Sequence, residues 1–279
     1  MRKILINDIF ESLSCGEKAF RSLRNFTLLC DERGVPRFMA GRNSVVVQMH
    51  KQGVLYGLKC YTAQLGCGEQ IGAFVKTLPS NLIIRPQILC EELWVVDRFL
   101  SVAIYPWVDG HSAEWLIRKA IHDHDTALLA TLEEGFIDLV VKILEQEWRH
   151  GDIKAENIVV RPDGEMVLVD CDSLYSPALP KRANLGTPLY IHPLRKDAYD
   201  SHIDDYAIAL IALSLEALRR DVSLFSGESM VALPSEGNSE RIRELFEGNN
   251  ALLELLDALL SDDYKIPNLK DILKCITHR

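Results

Sequence analysis

The chain has 279 residues, with 31 lysines and arginines against 40 aspartates and glutamates, giving a formal net charge of −9. That length buries a sizeable core in one two-lobed unit or two small domains, and the acidic balance argues against a nucleic-acid backbone as the principal partner. Seven cysteines, an odd number without paired metal-type spacing, point to reduced thiols rather than a disulfide framework, and no apolar run approaches the roughly eighteen residues of an export or membrane segment, so a cytoplasmic protein without a membrane segment is expected.

Residues 1–35 read as an N-terminal extension. They hold a short amphipathic helix near Cys15 to Leu23, an apolar segment from Phe26 to Cys30, and the turn Asp31-Glu32-Arg33-Gly34 that closes a hairpin with Arg37 to Ala40. A strand-turn-strand pattern follows, with Gly41-Arg42-Asn43-Ser44 at the turn and Val45 to Met49 after it; a second turn, Lys51-Gln52-Gly53, leads into a strand from Val54 to Tyr61. Cys60 on that strand reads as a buried free thiol rather than half of a pair with Cys67. Glu69, the only acidic residue between Cys60 and Cys90, opens a segment to Leu78 that suits a helix. Strand-like stretches come next at Leu82 to Ile84, Leu93 to Val96 and Leu100 to Tyr105, and then the extended run Ile104-Tyr105-Pro106-Trp107-Val108-Asp109-Gly110.

His122-Asp123-His124-Asp125 has metal-ligating residue types but no third ligand group in register, so a solvated loop or helix start is expected there. Leu128, Leu129, Leu132, Phe136, Leu139, Val140, Ile143 and Leu144 are spaced as one face of a long helix. The loop His150-Gly151-Asp152-Ile153-Lys154-Ala155-Glu156-Asn157 follows, then a hairpin of Ile158 to Val160 and Met166 to Val169 around Arg161 to Glu165, and then Asp170-Cys171-Asp172. An attacking hydroxyl needs an acceptor for its proton, which Asp152 supplies. A phosphate gathering charge needs a cation, here Lys154, and hard Mg²⁺ needs oxygen ligands, which Asn157 and Asp170 provide. Ile203 to Leu218 begins with Asp204 and is apolar on nearly every face from Ala207, as a helix at the centre of a core is. Beyond a polar stretch from Ser226 to Asn238, helical patterns recur at Glu240 to Phe246, Ala251 to Leu260 and Leu269 to Ile276.

The order helix, catalytic loop, short strand, turn, short strand, acidic ligand resembles the protein-kinase superfamily, in a form close to bacterial kinase-like proteins whose catalytic loop begins His-Gly-Asp. The resemblance runs from about Gly41 to Ala217. It implies an α+β, two-lobed fold: residues 1–35 an extension on a β-rich small lobe of residues 36–105, and residues 106–279 a mainly helical large lobe with a reduced C-terminal set. It implies ATP and Mg²⁺ as cofactors and a serine/threonine protein substrate. Lys59 matches the lysine that grips the α- and β-phosphates, and Glu69 its carboxylate partner. Gly41, Asn43, Ser44 and Val46 match the loop and strand over the nucleotide, and Pro106 and Val108 the main-chain groups that read adenine, with Tyr105 as gatekeeper. Asp152 and Lys154 take the catalytic roles; Asn157 and Asp170, joined by Asp172, take the metal. Asp204 matches the aspartate that holds the catalytic-loop backbone.

Several positions depart from that pattern. Only Gly41 survives of the loop glycines, Gly151 stands where arginine is usual, Cys171 and Asp172 replace an aromatic residue and a glycine, and Leu194 follows Pro193 where a glutamate is usual. Without an arginine at 151, control by phosphorylation at a residue such as Thr187 is not expected by the usual route. His-Gly-Asp with a later Asp-x-Asp is also similar to aminoglycoside and choline phosphotransferases. Lys154 and the block Gly186-Thr187-Pro188-Leu189-Tyr190-Ile191-His192-Pro193 lean toward a protein substrate. A pseudokinase acting as a nucleotide-binding or interaction scaffold is the other alternative.

Overall fold

The computed structural model describes residues 2–277 except 42–43, 64, 184, 226 and 228–237. It is an α+β structure whose chain divides into two compact units, Met1–Val108 and Asp109–Arg279.

In the first unit, helix α1 (Ile6–Ser14) and a 3-10 turn (Gly16–Ala19) precede strands β1 (Phe26–Leu28), β2 (Phe38–Ala40), β3 (Ser44–Lys51) and β4 (Val54–Tyr61), helix α2 (Gly68–Val75), and strands β5 (Gln87–Val95) and β6 (Arg98–Pro106). The six strands form one antiparallel sheet in the order β1-β3-β4-β6-β5, with β2 also on β3. Gln52 and Gly53, both at positive φ, make the two-residue β3–β4 turn, which fits the twist of a hairpin. Along β3 the alternation is strict: Val45, Val47 and Met49 are fully buried and join Leu58, Cys60, Leu93, Val95, Leu100, Val102 and Ile104 in one core.

From the N-terminal segment, Ile4, Ile9, Leu13, Phe20 and Leu23 are buried in this core. The helix expected near Cys15 to Leu23 lies earlier, at Ile6–Ser14. The Leu5 amide donates to the Asp8 carboxylate at 2.8 Å to start it, and Gly16 at φ 60 follows its end, a left-handed glycine that favours termination. The turn at Asp31 to Gly34 forms as expected and closes a short hairpin, with an antiparallel bridge between Cys30 and Pro36 and the Arg37 amide donating to the Leu29 carbonyl at 2.8 Å, beyond which β1 and β2 do not continue as a ladder. Both run along β3, β1 against Met49 to Lys51 and β2 against Val45 to Val47. Leu82 to Ile84 is buried but forms no strand: Leu82 ends a turn and Ile83 makes an isolated bridge. β5 begins earlier than the apolar pattern suggests, because Glu91 and Glu92 interrupt it. Glu91 lies at φ 49 within an irregularity between Leu89 and Leu93. Glu92 points into the unit, accepting from the Ser22 amide at 2.6 Å, the Ser22 hydroxyl at 2.8 Å and the Leu23 amide at 2.5 Å.

The second unit opens with β7 (His111–Ser112), α3 (Ala113–His122) and α4 (Thr126–Leu144), continues through β8 (Ile158–Val160) and β9 (Met166–Leu168) to α5 (Asp205–Arg220), and ends with α6 (Ser239–Leu245), α7 (Asn250–Leu259) and α8 (Leu269–Thr277). Ser112, Asp125 and Asn249 cap α3, α4 and α7 by accepting from the amides of Trp115, Leu128 and Leu252. The segment from His122 to Asp125 is an exposed helix junction. Every residue of α5 from Ala207 to Leu218 is buried, and α4 packs along it. At that contact Glu133 and Glu216 share Arg219, and Arg220 also pairs with Glu216. Burial pushes the Glu133 carboxyl up to about 8, helped by the negative Glu216 and opposed by Arg219. Strand β8 pairs with both β7 and β9. Among the described residues no helix is long and apolar enough to cross a membrane.

Candidate active site

The loop between α4 and β8 is held from below by main-chain bonds. Arg149 is 8% exposed and its guanidinium donates to the carbonyls of Gln146 and Trp148, both at 2.7 Å, and of Ser201 at 2.8 Å, so one cation closes the C-terminus of α4. Its backbone forms a two-bond bridge with Tyr175, at 2.9 Å each way. The next two amides, of His150 and Gly151, donate to the two carboxylate oxygens of Asp204 at 2.7 and 2.8 Å. Asp204 stands at the N-cap position of α5 but gives that helix no side-chain cap bond, because both oxygens serve the loop. Burial raises its pKa, opposed by His150 and the two amide bonds. The His150 ring, fully buried, contacts the Val169 carbonyl through Nε2 at 2.9 Å.

Gly151 explains why arginine is absent there. Its φ is +78, and a Cβ on it would lie 1.9 Å from the Ser173 carbonyl oxygen, a main-chain atom that cannot swing aside. The close approach of loop to turn brings Asp152 into place. The Asn157 amide nitrogen donates to the Asp152 carbonyl at 2.9 Å and lies 3.3 Å from its Oδ2. Lys154 Nζ is 3.4 Å from the same Oδ2 and donates to the Thr187 hydroxyl at 3.1 Å. Asp152 Oδ1 is buried without a hydrogen-bond partner among the described residues. Among the described residues the half-buried Asp152 carboxylate is thus contacted on Oδ2 and left bare on Oδ1.

The second carboxylate comes from the far end of the hairpin. Ile158 pairs with Leu168, and the Val169 amide donates to the Asn157 carbonyl at 2.9 Å, so the main chain sets Asp170 beside Asn157. Asp170 has φ 71 and ψ 80, a left-handed conformation that aspartate tolerates better than most side chains and that marks sites where geometry outranks local ease. The fully buried Cys171 and half-buried Asp172 follow in a 3-10 turn. No group of three or more His, Cys, Asp or Glu among the described residues is placed to hold a metal ion. Mg²⁺ does not require one, since it takes one or two carboxylates and completes its shell with water and phosphate. With the Asn157 nitrogen turned to Asp152, its carbonyl oxygen is left as the ligand atom, and together with Asp170 and Asp172 the donor set is all oxygen and fits Mg²⁺.

The segment after Asp172 folds back through arginine-to-carbonyl bonds. Arg182 donates to the carbonyls of Asp172 and of Leu174, the latter at 2.6 Å, and the Tyr199 hydroxyl also reaches the Leu174 carbonyl at 3.2 Å. A depression of about 170 Å³, counted with the open space at its mouth, is lined by Gly151, Asp152, Gly186, Thr187, Tyr190 and Arg195 among others. Burial raises the Tyr190 phenol above its ordinary range, assisted by Glu156, whose carboxylate its hydroxyl approaches at 3.4 Å.

In the first unit, Lys59 on β4 is paired in register with Val46 on β3 and Ala103 on β6. Strand alternation sets Ser44, Val46 and Lys59 on one face of the sheet, opposite the face that carries Val45, Leu58 and Cys60 into the core. Lys59 is 5% exposed, with its ammonium 5.3 Å from the Tyr61 ring centre. Burial pushes the neighbouring Cys60 thiol up to about 12. Glu69 stands exposed in the first turn of α2. The Gly41 amide closes its turn on the Ser44 carbonyl at 2.8 Å, and Asn43 lies outside the described residues. Tyr105 is opposite Gly57 and Pro106 opposite Tyr56 at the end of β6, with Pro106 exposed and Val108 half-buried.

No known family model matches the chain. Within the second unit the structure gathers Asp152, Lys154 and Asn157, with Asp170 set beside them by the hairpin register. It adds Thr187, Arg182 and Arg195, whose bonds the sequence did not announce. The Gly186 to Pro193 block drew attention to Thr187, but its contact with Lys154 leaves no local signature, and the acceptors of both arginines are carbonyls that every residue carries.

Proposed function

We propose that the chain is a two-lobed, kinase-type phosphotransferase that moves the γ-phosphoryl group of ATP to a serine or threonine hydroxyl of a protein substrate. The observation that carries this reading is the Asp152–Lys154–Thr187 line. A carboxylate with one bare oxygen stands 3.4 Å from an ammonium that is itself held by a hydroxyl at 3.1 Å, beside a narrow depression. In this role Asp152 orients the incoming hydroxyl and takes its proton as the new P–O bond forms and ADP departs with the electrons of the broken one. Lys154 stabilises charge on the transferring oxygens. Mg²⁺, when bound by Asn157 and Asp170 with Asp172 beside them, neutralises phosphate charge. Lys59, on the face it shares with Ser44 and Val46, is assigned to the α- and β-phosphates.

Lys154, two residues past Asp152, and the Gly186 to Pro193 block favour a protein hydroxyl over an aminoglycoside or choline. A second reading, a nucleotide-binding or interaction scaffold, draws on the exposed Glu69 and the loss of loop glycines. The test is labelled ATP with Mg²⁺ and a generic basic protein, then aminoglycosides and choline, alongside thermal shift with nucleotide. Protein labelling that Asp152→Ala abolishes while keeping the nucleotide-induced shift supports the proposal. Label on small molecules alone, or no transfer from the wild-type protein, overturns it.

A further inference from the structure

We propose that Arg195 is a positioning residue for the reaction proposed above: its buried guanidinium clamps the segment that carries Thr187 to the start of α5 and so keeps the Thr187 hydroxyl on Lys154. The inference rests on that functional reading for its kinetic consequence, while its structural content stands on the bonds alone.

Arg195 is 6% exposed. Its Nη2 donates to the Leu185 carbonyl and its Nη1 to the Ile203 carbonyl at 3.1 Å, so one planar group bridges two chain segments. Each anchor point lies within two residues of a functional group. Leu185 precedes Gly186 and Thr187, and Ile203 precedes Asp204, whose carboxylate holds the amides of His150 and Gly151. The bridge is therefore continuous from the Thr187 segment, through Arg195, to the loop that presents Asp152. There is little slack in it, since a Cβ on Gly186 would come within 2.9 Å of the Gly151 carbonyl oxygen. Arg195 also lines the depression with Asp152 and Thr187, where its Nε has no partner among the described residues.

A buried cation must be compensated, and among the described residues no carboxylate is hydrogen-bonded or ion-paired to it. Asp204, Asp152 and Asp200 surround it at longer range and oppose the cost of burial. The position thus asks for two things at once, a positive charge and a rigid fork that reaches two carbonyls. Lysine meets the first and fails the second, because a single ammonium on a flexible stem cannot reproduce the planar two-carbonyl geometry. A purely space-filling role makes the opposite forecast, namely that a side chain of similar length suffices.

The test compares full-length wild type, Arg195→Lys, Thr187→Ala and the double variant, with Arg195→Met as a second probe of the missing fork. Amide hydrogen exchange across residues 185–191 is expected to speed up roughly tenfold or more in Arg195→Lys, while α4 and α7 keep wild-type protection. Turnover of the hydroxyl substrate is expected to fall about tenfold or more with the KM for ATP unchanged, and adding Thr187→Ala to Arg195→Lys is expected to cost little further, because both act on one contact. Wild-type exchange in 185–191, or losses that multiply in the double variant, overturn the assignment. If the wild-type protein transfers no phosphate, the functional reading falls and the exchange comparison still decides whether Arg195 is the clamp.

Discussion

Replacing Gly151 by alanine tests the close approach on which the Asp152 loop depends. The backbone there is at φ +78, which costs an ordinary residue about 1–2 kcal/mol. The added Cβ would also stand 1.9 Å from the Ser173 carbonyl oxygen, so the two chain segments must part, endangering the pair of 2.9 Å bonds between Arg149 and Tyr175. Two such bonds contribute about 1 kcal/mol each, so the variant is expected to lose about 3–4 kcal/mol in all. In a unit of this size that corresponds to a fall in melting temperature of roughly 10 °C. Gly164 supplies the internal control. It lies in the same unit at φ +88 with nothing within 4 Å of its would-be Cβ, so Gly164→Ala carries the dihedral cost without the clash and is expected to lose only about 1–2 kcal/mol. Calorimetric or fluorescence melts of the three proteins give the comparison. Equal losses for the two alanine variants would refute the steric explanation for glycine at 151, and with it the explanation of why an arginine cannot be restored there.

Two other substitutions probe buried carboxylates with opposite roles. Glu133 holds its proton to about pH 8 in the folded chain against an ordinary value near 4.5, so between those values the folded state binds more protons than the unfolded one and stability falls as pH rises. Glu133→Gln is expected to flatten that decline and to be the more stable protein by on the order of 2 kcal/mol at pH 8 but not at pH 5, measured by urea titration at both; a constant difference at the two pH values would count against it. Glu92→Ala removes the acceptor of two main-chain amides and a hydroxyl and is expected to cost about 2–4 kcal/mol and to open residues 1–24 to protease, so unchanged cleavage there would sink the idea that this carboxylate anchors the N-terminal segment.

The elements that were legible in the sequence are those whose apolar pattern runs uninterrupted between recognisable turns. Helices α4 to α8, the β8–β9 hairpin and strands β3 and β4 all have apolar residues at regular spacing between recognisable turns. The misplaced pieces had their signal diluted. β5 carries Cys90, Glu91 and Glu92 in mid-strand, and the buried Glu92 looks like a surface residue until its three donors are seen. The first helix was displaced because the residues after Gly16 are as amphipathic as those before it, and only the Leu5–Asp8 bond marks where the helix begins.

For the candidate site the same division has a chemical cause. Asp152, Lys154, Asn157 and Asp170 could be singled out because the proposed roles ask for particular functional groups at particular spacing. Arg149, Arg182 and Arg195 were not, although they fix the frame around those groups, because all three bond to carbonyl oxygens. An acceptor that is main chain can be supplied by any residue, so no partner position in the sequence betrays the contact. Gly151 and Gly186 record it indirectly, being positions where the main chain runs too close for a side chain. Arg195, two positions past Pro193, ties its segment down through the Leu185 and Ile203 carbonyls, and a bond of this kind survives any change of partner side chain.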